Sequence, residues 1–157
     1  MFSVNDKILY PMHGAGIIKE IEDVEILGEI KQYYVLLSSC SDMKIMIPVE
    51  KSEDIGVRPI VDADTAAKVI ELLKEPSTEM PNNWNRRYRE NVAKIKTGNI
   101  FTVAEVVRNL VRIDRVKKLS TGEKKLLLSA RQILVSEIAL ATDKSVEQIT
   151  ELVNEAI

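Results

Sequence analysis

Asn82-Asn83-Trp84-Asn85-Arg86-Arg87-Tyr88-Arg89 is the stretch on which the reading of this chain turns. It holds the only tryptophan, and three arginines follow that residue within five positions. An asparagine at a helix N-cap accepts a hydrogen bond from an unpaired backbone N–H of the first turn. The string therefore predicts a helix that begins near Trp84 and carries the indole at its tip. Trp84, Tyr88, Val92 and Ile95 recur at roughly helical spacing, so all four could form one buried stripe. A flat apolar ring beside guanidiniums has a second use: it can press on a nucleic acid while the arginines hold phosphates. From this stretch alone both uses stay open.

Downstream the chain reads as helical. A helix carries Val103, Val106, Val107, Leu110 and Val111 on one side, with Arg108, Arg112 and Arg115 as a basic stripe on the other. Ser120-Thr121-Gly122-Glu123 has the form of a capping box and opens a long helix with Leu127, Ala130, Ile133, Leu134 and Ile138 inward. Ser145-Val146-Glu147-Gln148 is a second such box, opening a short acidic helix. Immediately upstream, Glu75 to Pro81 contains two prolines and reads as a linker that sets the reach of the helical part. Before it, Ala66, Val69, Ile70 and Leu73 give one more amphipathic helix, entered at Asp62 and stopped by Pro76. Residues 61–157 are thus expected to form a compact five-helix domain.

In the first sixty residues the hydrophobic period is two. Lys7–Tyr10, Gly16–Ile26, Gln32–Ser38 and Met43–Ile47 read as strands, separated by Pro11–Gly16, by a hairpin at Leu27-Gly28-Glu29 and by a Ser-rich turn. Several short strands with tight turns predict a small antiparallel barrel over residues 1–60, so the whole chain is α+β. Met43, Ile45 and Ile47 share a face and are expected in its core. Met46 then points outward beside Pro48, and Val24 and Ile26 share a face opposite Asp23 and Glu25. Exposed apolar groups near a strand edge suit a protein-binding patch.

The chain has 157 residues and a net charge of only −2, but the charge is not evenly spread. Residues 82–131 carry thirteen basic and four acidic side chains, a local excess of nine, inside an otherwise acidic chain. Such a block is the footprint of a surface that binds a polyanion. No run of 18 apolar residues is present, so no membrane contact is expected, and the N-terminus lacks the pattern of a signal peptide. Cys40 is alone, which excludes an internal disulfide and a zinc site built on cysteines; a reducing cytoplasm is the expected compartment. His13, the single histidine, lies in turn chemistry and is read as a turn residue rather than a ligand. Gly122-Glu123-Lys124 lacks the upstream glycine of a phosphate loop, and no nucleophile–base pair can be assembled. The expectation is a binding protein, not an enzyme, without metal or cofactor.

Several segments together resemble the CarD/CdnL family of bacterial transcription regulators. They are Tyr10-Pro11-Met12-His13-Gly14, Lys44-Ile45-Met46-Ile47-Pro48, Gly56-Val57-Arg58, Asn83 to Arg89, Ala104-Glu105-Val106-Val107-Arg108, Leu119 to Lys124, and Ala130 to Leu134. The resemblance spans nearly the whole chain. It implies that residues 1–60 form a Tudor-like (SH3-like) barrel that binds the lobe of the RNA polymerase beta subunit, a module shared with the transcription-repair coupling factor. The contact region it implies is Val24, Ile26, Met46 and Pro48; some relatives carry arginines at the positions of Val24 and Met46. It also implies that residues 61–157 bind promoter DNA without reading sequence, at the upstream edge of the transcription bubble, and so stabilise the open complex. Trp84 would be a wedge against the minor groove. Arg86, Arg89 and Lys124, with Arg87 adjacent, would contact the backbone. The expected molecule is a cytoplasmic monomer. The rival reading is a stand-alone nucleoid-associated or RNA-binding protein with no polymerase partner; an unrecognised hydrolase, with titratable groups converging in a buried cleft, stands behind both.

Overall fold

The computed structural model describes residues 1–157. Five strands form one antiparallel sheet: β1 (Lys7–Tyr10), β2 (Gly14–Ile26), β3 (Glu29–Ser38), β4 (Lys44–Pro48) and β5 (Arg58–Pro59), in the order β4-β3-β2-β1-β5. β2 and β3 are joined by a two-residue turn in which Leu27 and Gly28 both have positive φ, 51° and 81°. That is the hairpin geometry whose twist matches the flanking strands. Side chains from one face of the sheet (Ile8, Ile18, Tyr34, Leu36 and Ile47) form a small core with Val57.

The sheet departs from the expected barrel in that it does not close. β5 has two residues, pairs only with β1, and ends in Pro59, which has no N–H to donate. β4 pairs only with β3 and ends at Pro48, so both outer edges are free. The gap is filled by one helical turn, α1 (Ser52–Ile55), with Val49 and Ile55 packed on the small core. The chain therefore has six helices rather than five. Met43 is also not a core residue: pairing starts at Lys44, and Met43 lies exposed in the preceding turn.

The remaining helices are α2 (Ala63–Lys74), α3 (Trp84–Lys96), α4 (Ile100–Val116), α5 (Thr121–Thr142) and α6 (Val146–Ala156). Each is N-capped by a side chain that accepts a backbone N–H: Asp62, Asn83, Asn99, Ser120 and Ser145. The Ser145 box closes fully through Gln148. The Ser120 box does not, because the Glu123 carboxylate turns to Arg87 instead of its own cap N–H. The helices enclose the larger core around Val107, Leu110, Ala130 and Leu134.

Two arginines of α4 overturn the solvent-facing stripe. Arg108 is 1% exposed and donates to the Leu72 carbonyl and to Asn109. Arg112 donates to the carbonyls of Leu73 and Glu75 and to the Ser77 hydroxyl. Both cations thus cap the C-terminal end of α2, where the helix dipole favours positive charge. Periodicity places residues on a helix face but does not show what packs opposite. The same contacts, with Asn109 bonded to Thr78, pin the proline-bearing stretch 75–81 against α4. It joins two helices of the bundle and sets no reach between the halves.

Sheet and bundle meet directly along α5. The Ala15 N–H donates to the Ser136 hydroxyl at 2.9 Å. Gly14 has φ +98°, which disfavours any side chain, and a Cβ there would crowd that hydroxyl at 3.0 Å. Arg58 forms a two-pronged pair with Glu137 at 2.6 and 2.8 Å, and donates as well to the Gly98 carbonyl. The Glu137 carboxylate also accepts the Val61 N–H. Leu9 and Ala15 of the sheet belong to the larger core, so the apolar interior is continuous across the junction.

Candidate nucleic-acid and protein interfaces

Trp84 is the first residue of α3 and is 52% exposed. The inward face of that helix is built from Tyr88, Asn91, Val92 and Ile95, one turn further on. The indole overshoots the bundle it was able to join. Of the two uses of this ring, filling a core is excluded. Its backbone is fixed by the Asn83 cap, whose side chain accepts the Arg86 N–H at 3.2 Å. The start of α5 lies alongside, with Gly122 against the Tyr88 ring. A two-pronged pair ties the two helix tips together: Arg87 Nε and Nη2 donate to Glu123 at 2.7 and 2.8 Å. Glu123 is 1% exposed, and its hydrogen bonds hold the Arg87 guanidinium above its ordinary pKa. Two helix N-termini thus open on one side of the molecule, where their dipoles favour an anion.

Among the five residues expected to touch DNA, four are displayed and one is not. Trp84, Arg86, Arg89 and Lys124 are exposed in the first two turns of these helices. Arg89 and Lys124 form no ion pair within the chain. Arg86 reaches Glu90 one turn away at 3.2 Å in an exposed pair. Such pairs contribute at most about 1 kcal/mol, so the guanidinium is readily exchanged onto a phosphate. Arg87 is the exception. Its guanidinium is turned inward onto Glu123 and is spent on holding the tips together. Lys117 and Lys118 escaped the sequence reading. They are exposed, and with Trp84 they line a cavity of about 370 Å³. Their adjacency just before the Ser120 cap was the available signal: it puts both lysines in the loop that delivers α5 to the indole.

The second surface lies on the sheet. Opposed residues in an antiparallel pair share a face. Ile26 opposes Glu29, Val24 opposes Lys31, Pro48 opposes Tyr33 and Met46 opposes Val35. All four partners are odd-numbered positions of β3, so Val24, Ile26, Met46 and Pro48 occupy a single face, the one away from the small core. Met46 and Ile26 are 44% and 43% exposed; Val24 and Pro48 are half-buried. The free edge of β4 borders this face.

The chain was compared with protein-family models and with curated proteins. Residues 2–61 match the model described as CarD-like/TRCF RID domain, and residues 68–154 match the model described as CarD, C-terminal domain. A Bacillus subtilis (strain 168) protein, YdeB, whose name places it with transcription factors, is 41% identical over 149 residues. The aligned region covers 95% of this chain and 97% of that protein.

Proposed function

The chain belongs to the CarD family of transcription factors, and from that premise we propose that it tethers itself to RNA polymerase through its sheet and steadies opened promoter DNA through its helix tips. Transcription regulation is the family's role. The finer reading rests above all on one observation: a half-exposed indole at the start of α3, whose tip is tied to that of α5, with Arg86, Arg89 and Lys124 exposed in the first two turns of the same helices.

In this mechanism the face formed by Val24, Ile26, Met46 and Pro48 docks on the beta subunit. The match of residues 2–61 to a domain shared with TRCF supports that partner over a stand-alone DNA or RNA binder. Docking raises the local concentration of a weak DNA-binding site. Arg86, Arg89 and Lys124 neutralise phosphates without reading bases. Trp84 enters the minor groove where the duplex is already distorted and stacks on a base. Stacking of this kind contributes about 1–3 kcal/mol. A contact made only in the open complex shifts the open-to-closed ratio by that amount and needs no catalytic group.

The test is the dissociation of promoter complexes challenged with a polyanion competitor, with and without the chain. The chain is expected to lengthen the lifetime of the open complex. A lifetime unchanged at saturating protein overturns the proposal.

A further inference from the structure

A cavity opens beside Trp84. Its volume, about 370 Å³, falls in the range of pockets that enclose small molecules, roughly 300–1,000 Å³. One wall is the indole. Ile113 and Leu119 add apolar surface, while Asn82, Lys117 and Lys118 stand around it with no hydrogen bond or ion pair from their side chains. The acidic group in its lining, Glu123, is neutralised by Arg87. The result is a slot with an aromatic wall, apolar surface, a free amide and free cations. An unpaired nucleobase, with its flat ring, polar edge and attached phosphate, meets each of these features.

We propose that this cavity receives a single unpaired nucleobase of one DNA strand, the base displaced when Trp84 enters the stack. A wedge that unstacks a step must leave a displaced base somewhere. Here a half-open cavity lies against the wedge itself. In this arrangement the base lies along the indole. Asn82 hydrogen-bonds the base edge, and Lys117 and Lys118 hold the flanking phosphates. The inference rests on the DNA-binding reading given above and adds the ligand of this slot.

The test uses the full chain and three short labelled duplexes of one sequence: fully paired, with one extrahelical thymidine, and with an abasic residue at that extrahelical position. Affinity is read by anisotropy at low salt, and stacking by emission of Trp84, the only tryptophan. The extrahelical thymidine is expected to raise affinity over its abasic counterpart by about fivefold or more, from the stacking of one base. Only the thymidine duplex quenches the indole strongly. Asn82→Phe removes the amide proposed to bond the base edge and adds bulk at the rim of the slot. It is expected to abolish the preference for the thymidine duplex over its abasic counterpart. Equal affinity for thymidine and abasic duplexes, or a preference that survives Asn82→Phe, overturns the slot and leaves the phosphate contacts standing. Absence of binding to all three overturns the DNA-binding reading and the slot with it.

Discussion

Arg86 and Arg87 are neighbours in sequence and opposites in role. Arg87 neutralises a carboxylate that is 1% exposed, so its removal strands a buried charge. Breaking a buried pair from one side costs about 3–5 kcal/mol. Arg87→Ala is therefore expected to lower stability by about 3 kcal/mol or more in urea unfolding. Replacing both partners by apolar residues of similar volume is expected to recover much of that loss. Arg86→Ala should leave the unfolding curve within about 0.5 kcal/mol of wild type. It should instead weaken DNA binding and reduce the salt dependence of log K by about one. The reverse pattern would move Arg87 back among the DNA contacts. No residue type in the string Arg86-Arg87 distinguishes the two. The difference is set by Glu123, thirty-six positions away, whose place opposite Arg87 exists only in the folded chain.

At the scale of elements, what was legible was local. The caps at Asn83, Ser120 and Ser145 and the 3.6 period of α2, α4 and α5 depend on residues within one or two turns, and they read correctly, although the full box at Ser120 is lost to Arg87. The open edges of the sheet, the α1 turn and the inward Arg108 and Arg112 depend on what packs from elsewhere, and composition is silent on that. The alternation of β4 was legible in part: it put Met46 outward and Ile47 inward, and failed at Met43, where pairing has not begun. On β4, Met46→Glu places a charge on the free face without touching the core. It is expected to abolish co-purification with the beta subunit while leaving binding to free DNA unchanged; undiminished co-purification would move the docking face elsewhere. On α2, hydrogen bonds from Thr65 hold the Asp62 carboxyl below its ordinary pKa. Its contribution to stability is thus complete above the ordinary carboxylate pKa and fades as pH falls through the lowered one. Asp62→Asn keeps an acceptor at the cap and removes that titration. Its melting temperature is expected to fall less than wild type's on acidification from about pH 5 to pH 2. Parallel decline of both proteins would show that the cap does not titrate.

Across the whole molecule, α5 is the part that relates the two surfaces. Its first turn holds the α3 tip through Glu123, and its Glu137 holds the sheet through Arg58. The two carboxylates are fourteen helical steps apart, roughly 21 Å at 1.5 Å per residue. The helix thus fixes the distance from the sheet to the α3 tip, the two proposed binding surfaces, a role that the sequence had assigned to the stretch 75–81. Arg58→Ala is expected to speed hydrogen exchange at the Ala15 and Val61 amides, which line this junction, more than at Leu36 in the sheet core. Equal acceleration at all three would mean that the pair stabilises the fold globally and not the junction. With the α3 tip held at a set distance from the sheet, the proposed effect on promoters comes down to the ring that tip carries. The most direct measurement is the lifetime of the promoter open complex with saturating wild-type chain and with Trp84→Ala. The variant is expected to bind polymerase as wild type does and to shorten the lifetime by roughly fivefold to 150-fold, the equivalent of losing one stacked base. Identical lifetimes for the two proteins would contradict the account.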